Sequence, residues 1–234
     1  MRKNLTALLL LVLAGPAWSA ETPAPAALNL VLVRHGHYVA DVQADKALGP
    51  GLSPIGVAQA RLTGARLHGL PVAFDALHVS PLQRARDTAA VIGAEFSGRD
   101  FSVLADLEEC TPPTRRREVT RDEEPEDLTA CKAQLDRLFA TQFRPAAGAE
   151  RTHLMVCHGN VIRYMVTRAL NVDSAAWLEM SFGHASITRI RVEADGRFKL
   201  ISAGDVGHLP PNLLTGATGD SDKSLAIPVL RDAR

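Results

Sequence analysis

Two arginines, two histidines and a carboxylate, far apart in the chain, each follow an apolar run. Arg34 and His35 end the run Leu30-Val31-Leu32-Val33, and Gly36 comes next. Arg84 and Arg86 lie in "SPLQRARDTAA", and Leu107-Glu108-Glu109 and His158-Gly159-Asn160 complete the set. A planar guanidinium grips phosphate in bidentate fashion. A neutral imidazole can attack phosphorus and form a phosphohistidine, which divides one hard displacement into two steps. A carboxylate kept protonated near neutral pH can give the leaving oxygen its proton. The arginines and the second histidine offset charge in the transition state, so this chemistry requires no metal and no cofactor. His35-Gly36-His37 is not read as a metal pair, because further ligands are lacking and a metal would compete for the nucleophile's lone pair.

Elements must bring these groups to one place. Leu28 to Val33 is a continuous apolar run, as in a parallel strand covered on both faces. Ser53 as N-cap and Pro54 at the first helical position open a helix to about His68. Phe74 to Val79 is a second strand, and Ser80-Pro81 opens a second helix. Phe101 to Leu104 is a short strand. Leu128 to Phe143 is helical, Thr152 to Cys157 is a strand and Gly159 to Leu170 a helix. Ser186 to Val192 and Arg197 to Ser202, separated by Asp195-Gly196, read as a hairpin. This order predicts an α/β fold, a three-layer sandwich with a largely parallel central sheet. Ligands bind such sheets at the carboxyl ends of the strands, where every group named above falls. Helix N-termini near Gly36, Ser80 and Gly159 add backbone N–H donors for an anion.

The chain of 234 residues is long enough for one domain with a substantial core. Its formal net charge of zero gives no electrostatic case for nucleic acid or an acidic membrane surface. Arg2 and Lys3, the apolar run Leu5 to Ala14 and the small-residue stretch to Ala20 have the layout of a signal peptide. The run is too short for stable membrane insertion, though a retained anchor is the alternative to cleavage. Cleavage near Ala20 would leave residues 21–234 as one domain, periplasmic or secreted. In an oxidising compartment Cys110 and Cys131 are candidates to pair. Cys157, in an apolar strand pattern, reads as a buried thiol.

"LVLVRHG" resembles the signature of the histidine phosphatase superfamily, which includes the phosphoglycerate mutases. "LSPIGVAQA", "SPLQRARDTA", "LEEC" and "VCHGNVIR" are similar to its later blocks, in the same order. "RHGHY", the stretch from "VCHGNVIR" to "HASITRI" and "GDVGHLPPNLLT" further resemble the mitochondrial serine/threonine protein phosphatase branch. The resemblance implies a phosphoglycerate mutase-like fold, with His35 as the phosphorylated nucleophile. Arg34, Arg84 and His158 would form the phosphate pocket. Glu109 would be the general acid and later the base for water, with Glu108 the fallback. His37 lines the pocket or faces solvent, and His184 either touches substrate or is a turn residue. At Cys110 and through "TPPTRRREVTRDEEP" the match dissolves, and Arg115, Arg116 and Arg117 either meet a second anion or are solvated charge.

The expectation is a metal-independent phosphomonoesterase whose partner is a phosphorylated substrate, a phosphoprotein or a small phosphomonoester. Alternatives are mutase-type phosphoryl transfer and a non-catalytic phosphate-binding module. The resemblance also permits a homodimer.

Overall fold

The computed structural model describes residues 23–96 and 99–216; the expected signal peptide, residues 1–20, lies outside them. The strands are β1 (Pro25–Ala26), β2 (Leu28–Arg34), β3 (Ala76–Val79), β4 (Ser102–Val103), β5 (Ala146–Ala147), β6 (Arg151–Cys157), β7 (Ile187–Val192) and β8 (Phe198–Asp205). The helices are α1 (Pro54–His68), α2 (Gln83–Gly93), α3 (Pro125–Gln142) and α4 (Gly159–Ala169). Six strands form the central sheet in the order β4-β3-β6-β2-β7-β8, and β1 pairs with β5 beside it. β4, β3, β6 and β2 run parallel, while β7 and β8 close the other edge antiparallel. The fold is the expected α/β class with a mostly parallel sheet.

Alternation along the central strands splits the core into two layers. Leu30 and Leu32 on β2 and Met155 and Cys157 on β6 face α3 and α4. Val31, Val33, Leu154 and Val156 face α1 and α2. Leu30, Leu32, Leu154 and Met155 are fully buried, and each such side chain contributes roughly 1.5–3 kcal/mol relative to exposure. Burial on both faces is why β2 reads as an unbroken apolar run. α4 is buried nearly all round, so the end of β6 and the start of α4 are held without slack.

Element starts show what capping decides. α1 begins at Pro54, with Ser53 Oγ accepting the Gly56 N–H. α2 begins at Gln83 rather than at Ser80-Pro81, because Ser80 Oγ accepts the Leu82 N–H and faces His158 instead of capping a helix. α3 begins at Pro125, earlier than Leu128, since proline suits the first turn and Glu126 and Asp127 complement the helix N-terminus. Cys110 and Cys131 form a disulfide, with Cα atoms 5.6 Å apart. Cys157 is a buried free thiol, and burial pushes its pKa up to about 12. Among the described residues no helix is long and apolar enough to cross a membrane.

Candidate active site

The parallel strands end at one edge of the sheet, and their register sets which residues meet there. Arg34 pairs with Cys157 across β2 and β6. The His35 N–H donates to Cys157 O at 2.9 Å, and the Ser80 N–H to Val156 O at 3.0 Å. Thus Arg34-His35, Ser80 and His158 leave adjacent strands at the same level. Gly36 is required by close approach: a Cβ there would lie 2.6 Å from Gly56 O in the first turn of α1. The Gly36 N–H donates to Thr88 Oγ1 at 3.0 Å, which ties the turn to α2.

His35 is buried, and both ring nitrogens have partners. Nδ1 lies 2.8 Å from Gly36 O. A carbonyl only accepts, so Nδ1 carries the proton and Nε2 carries the lone pair. The Arg84 Nε–H donates to that Nε2 at 3.2 Å. Burial first, and then the neighbouring His158, Arg34, Arg84 and His184, hold the His35 pKa well below its ordinary value. The ring is therefore neutral at physiological pH.

Around it stand His158, with ring centroids 5.0 Å apart, Tyr38 at 5.5 Å and His184 at 5.4 Å. The Arg84 guanidinium lies over the Tyr38 ring. Arg86 is exposed on α2 and lines a separate cavity of about 670 Å³ with Arg99 and Phe101, so Arg84 is the arginine of this helix that reaches the site. Arg34 passes over Gly159, where a Cβ would sit 3.3 Å from its Nε. Its guanidinium donates to Phe182 O and to His184 Nε2, the latter at 3.2 Å. Burial and the nearby Arg163 lower the Arg34 pKa to about 10, which leaves it charged at neutral pH.

His158 is wholly buried at the N-cap of α4. Burial first, then Arg84 and Arg34, push its pKa well down. Its Nε2 lies 2.6 Å from Ser80 Oγ, and its Nδ1 faces Glu109 Oε2 at 3.7 Å. The other Glu109 oxygen accepts the Asn160 N–H at 3.3 Å. Glu108 is exposed. The carboxylate at the site is that of Glu109.

His184 is 1% exposed. Arg34 donates to its Nε2, and its Nδ1 lies 2.8 Å from Thr215 Oγ1. Both nitrogens are occupied by protein, so this ring supports Arg34 rather than offering a nitrogen to a ligand. Burial is the main reason its pKa falls to about 2. Ala185, next in the chain, has φ +57 and gives its N–H to His35 O at 3.1 Å; an alanine rarely adopts that left-handed backbone. His37 is half-buried, with Nδ1 2.8 Å from Ser53 Oγ and its ring 5.5 Å from that of His184. Of Arg115, Arg116 and Arg117, the first two are paired on the surface, Arg115 with Asp173 and Arg116 with Glu118, each at 2.9 Å.

Four supporting residues have roles that sequence reasoning does not reach: Ser80, Gln59, Thr215 and Asn160. Gln59 accepts the His37 N–H through Oε1 and donates to Thr215 Oγ1 and Leu213 O through Nε2. It links the first turn after β2 to a segment near the far end of the chain, and no local pattern announces that. Two of the four have a signal, Ser80 in the cap-like Ser80-Pro81 and Asn160 in its place directly after His158-Gly159.

The sequence model of the histidine phosphatase superfamily (branch 1) matches residues 30–114 and 113–205. The chain belongs to this superfamily. The mitochondrial serine/threonine-protein phosphatase Pgam5 of Caenorhabditis elegans is 33% identical over 201 residues, covering 83% of this chain and 69% of that protein. The human PGAM5 is 31% identical over 197 residues, 82% of this chain and 67% of that one. Among solved structures, a phosphoglycerate mutase of Plasmodium falciparum aligns with TM-score 0.56 and 25% identity, over 79% of this chain and 95% of its own. A phosphoserine phosphatase of Entamoeba histolytica aligns with TM-score 0.56 and 20% identity, over 78% and 100%. Membership and the two serine/threonine-protein phosphatase relatives make the chain a phosphoric monoester hydrolase. They also correct the expected location. The curated relatives are named as mitochondrial, which is neither periplasmic nor secreted, and the reading of export is withdrawn. A basic start and an apolar run report targeting character, not the compartment reached.

Proposed function

We propose that this superfamily member hydrolyses phosphomonoesters on proteins through a phosphohistidine at His35. The observation that carries the reading is the His35 ring, with Nδ1 held by Gly36 O and the lone pair of Nε2 turned toward Arg84. A ring so fixed is poised for in-line attack. The substrate phosphoryl group sits between Arg34, Arg84 and His158, and displaces the Arg84 Nε–H contact as it arrives. Bidentate guanidinium contacts offset charge on the equatorial oxygens. Nε2 forms the bond to phosphorus while the bond from phosphorus to the ester oxygen breaks.

Glu109, beside His158, gives that departing oxygen its proton. Its carboxylate then takes a proton from water, which attacks the phosphohistidine and releases phosphate, so the enzyme ends as it began. His158 stays fixed by Ser80 and adds hydrogen-bond capacity to the transferring group. A serine or threonine phosphate on a protein is the substrate class, supported by the relatives named as serine/threonine-protein phosphatases. Their alkoxide leaving groups are poor, which is why an acid is needed.

The test is hydrolysis of p-nitrophenyl phosphate and of a phosphoserine peptide by wild type and His35→Ala, with EDTA present. Turnover of both by wild type and of neither by the variant supports the proposal. Loss of wild-type turnover in EDTA, or its persistence in His35→Ala, overturns it.

A further inference from the structure

The segment that carries Glu109 is held against α3 by a row of tethers on one helix face. Cys131 bonds covalently to Cys110, the residue directly after Glu109. One turn on, Gln134 Nε2 donates to Glu108 O at 2.9 Å and to Asp106 O at 3.3 Å. A further turn on, Arg137 pairs with Asp106 at 2.9 Å. From the opposite side Asn160, in the first turn of α4, donates its side-chain amide to Cys110 O at 3.1 Å and its backbone N–H to Glu109 Oε1 at 3.3 Å. Cys131 is buried, whereas of the two hydrogen bonds from Gln134 the shorter, to Glu108 O, is exposed to solvent and the part-buried one, to Asp106 O, is long. The disulfide is the one covalent link among these tethers, and the charged insert from residue 111 to 124 runs between its two cysteines, anchored on its way by Trp177 Nε1–H to Pro113 O at 3.1 Å and by the Arg115 N–H to Ala175 O at 2.9 Å. Without it, the acid-bearing turn would keep only non-covalent contacts, those from Gln134, Arg137 and Asn160 and the packing of the buried Leu107.

We propose that the Cys110–Cys131 disulfide is a positioning element for Glu109, so that its reduction weakens proton delivery to the leaving group while leaving phosphate binding intact. The inference rests on the reading of Glu109 as general acid. Reduction by a dithiol such as dithiothreitol transfers two electrons and two protons to the disulfide. It yields two cysteine thiols and the cyclic disulfide of the reagent, and no bond at His35 changes. A displacement of the carboxyl by about 1 Å is enough to cost up to about 100-fold in a proton-transfer step. Arg34, Arg84 and His35 are anchored through β2, α2 and the sheet, whereas the disulfide joins the turn after Leu107 to α3.

The experiment compares kcat/KM for 2,4-dinitrophenyl phosphate, whose leaving group departs without a proton, with that for phenyl phosphate, whose leaving group needs one. The proteins are oxidised wild type, dithiothreitol-treated wild type, Cys110→Ser/Cys131→Ser and Glu109→Gln, with thiol counts and circular dichroism recorded for each. The expected result is a drop of about tenfold for phenyl phosphate on reduction, with less than a twofold change for dinitrophenyl phosphate. The double variant should behave as the reduced wild type does. The inhibition constant for inorganic phosphate should not move. Equal loss for both esters, or no loss for either, overturns the proposal. Because the reduced wild type has no substitution, misfolding of the double variant does not rescue the idea. Glu109→Gln separates the two readings. If it shows the leaving-group dependence and reduction does not, the disulfide proposal alone fails. If it shows none, the acid assignment fails and takes the proposal with it.

Discussion

Arg84 and His35 meet nitrogen to nitrogen: the guanidinium Nε–H donates to imidazole Nε2 across 3.2 Å. The partner on the other side of the ring is Gly36 O, so the ring is oriented by one acceptor and one donor. Phosphate must take over the Arg84 donor when it binds. Arg84→Lys keeps a charge but loses the planar fork, and the Nε–H that fixes Nε2 goes with it. The expected fall in kcat/KM is about 100-fold, read by steady-state kinetics on p-nitrophenyl phosphate. A change of less than threefold would mean that the contact is incidental.

Gly36 fixes where the nucleophile stands. Gly36→Ala places a Cβ 2.6 Å from Gly56 O, a backbone atom that cannot swing aside. Overpacking of this kind costs roughly 1–3 kcal/mol, and here it also displaces His35. Denaturant unfolding should show the loss of stability, and kcat/KM should fall by more than the folded fraction explains. Wild-type stability in Gly36→Ala would contradict the close approach.

Ser80→Ala removes the oxygen 2.6 Å from His158 Nε2 and strands a buried ring nitrogen. An unsatisfied buried polar atom costs about 1–3 kcal/mol. The variant should unfold at lower denaturant concentration and lose about tenfold in kcat/KM as His158 reorients. Ser80→Thr, which keeps the hydroxyl, should recover much of the rate.

Acid should destabilise this protein early. His35, His158 and His184 are buried and have pKa values depressed in the folded state, that of His184 to about 2. In the unfolded chain a histidine titrates near about 6.5. Between the two values the unfolded chain holds protons that the folded chain does not, so stability is present above about pH 6.5 and is lost as pH falls. Each such histidine contributes up to about 1.4 kcal/mol per pH unit over that window. Urea unfolding between about pH 6 and 5 should show the loss, and His184→Gln should make the slope shallower by about one proton. An unchanged slope in His184→Gln would contradict burial of that ring as the neutral form.

The six strands of the central sheet, α1 and the convergence of Arg34, His35, Arg84, Glu109 and His158 at one sheet edge are legible in the sequence, because β2 and β6 carry their apolar runs straight into Arg34-His35 and His158, while the two-residue strands β1 and β5 are too short to leave a pattern. The start of α2 is not. Ser80-Pro81 has the form of a cap, and only the approach of His158 from β6 diverts the Ser80 hydroxyl. Apolar spacing alone puts the start of α3 at Leu128, and the stronger signal is the Pro125-Glu126-Asp127 turn before it. His184 has no local mark of its role, since Arg34 and Thr215, which occupy its nitrogens, are both distant in the chain. The location is not legible either, because the residues before Ala20 speak to targeting in general and not to one compartment.

The most direct measurement is rapid quenching of the wild type with phosphorus-labelled substrate, followed by mapping of the label. The account predicts a burst approaching one equivalent of phosphoenzyme that is labile in acid and stable in base, with the label at Nε2 of His35 and absent from His35→Ala. A burst that maps to another residue, or hydrolysis with no labelled intermediate under conditions where the leaving group departs first, would contradict it.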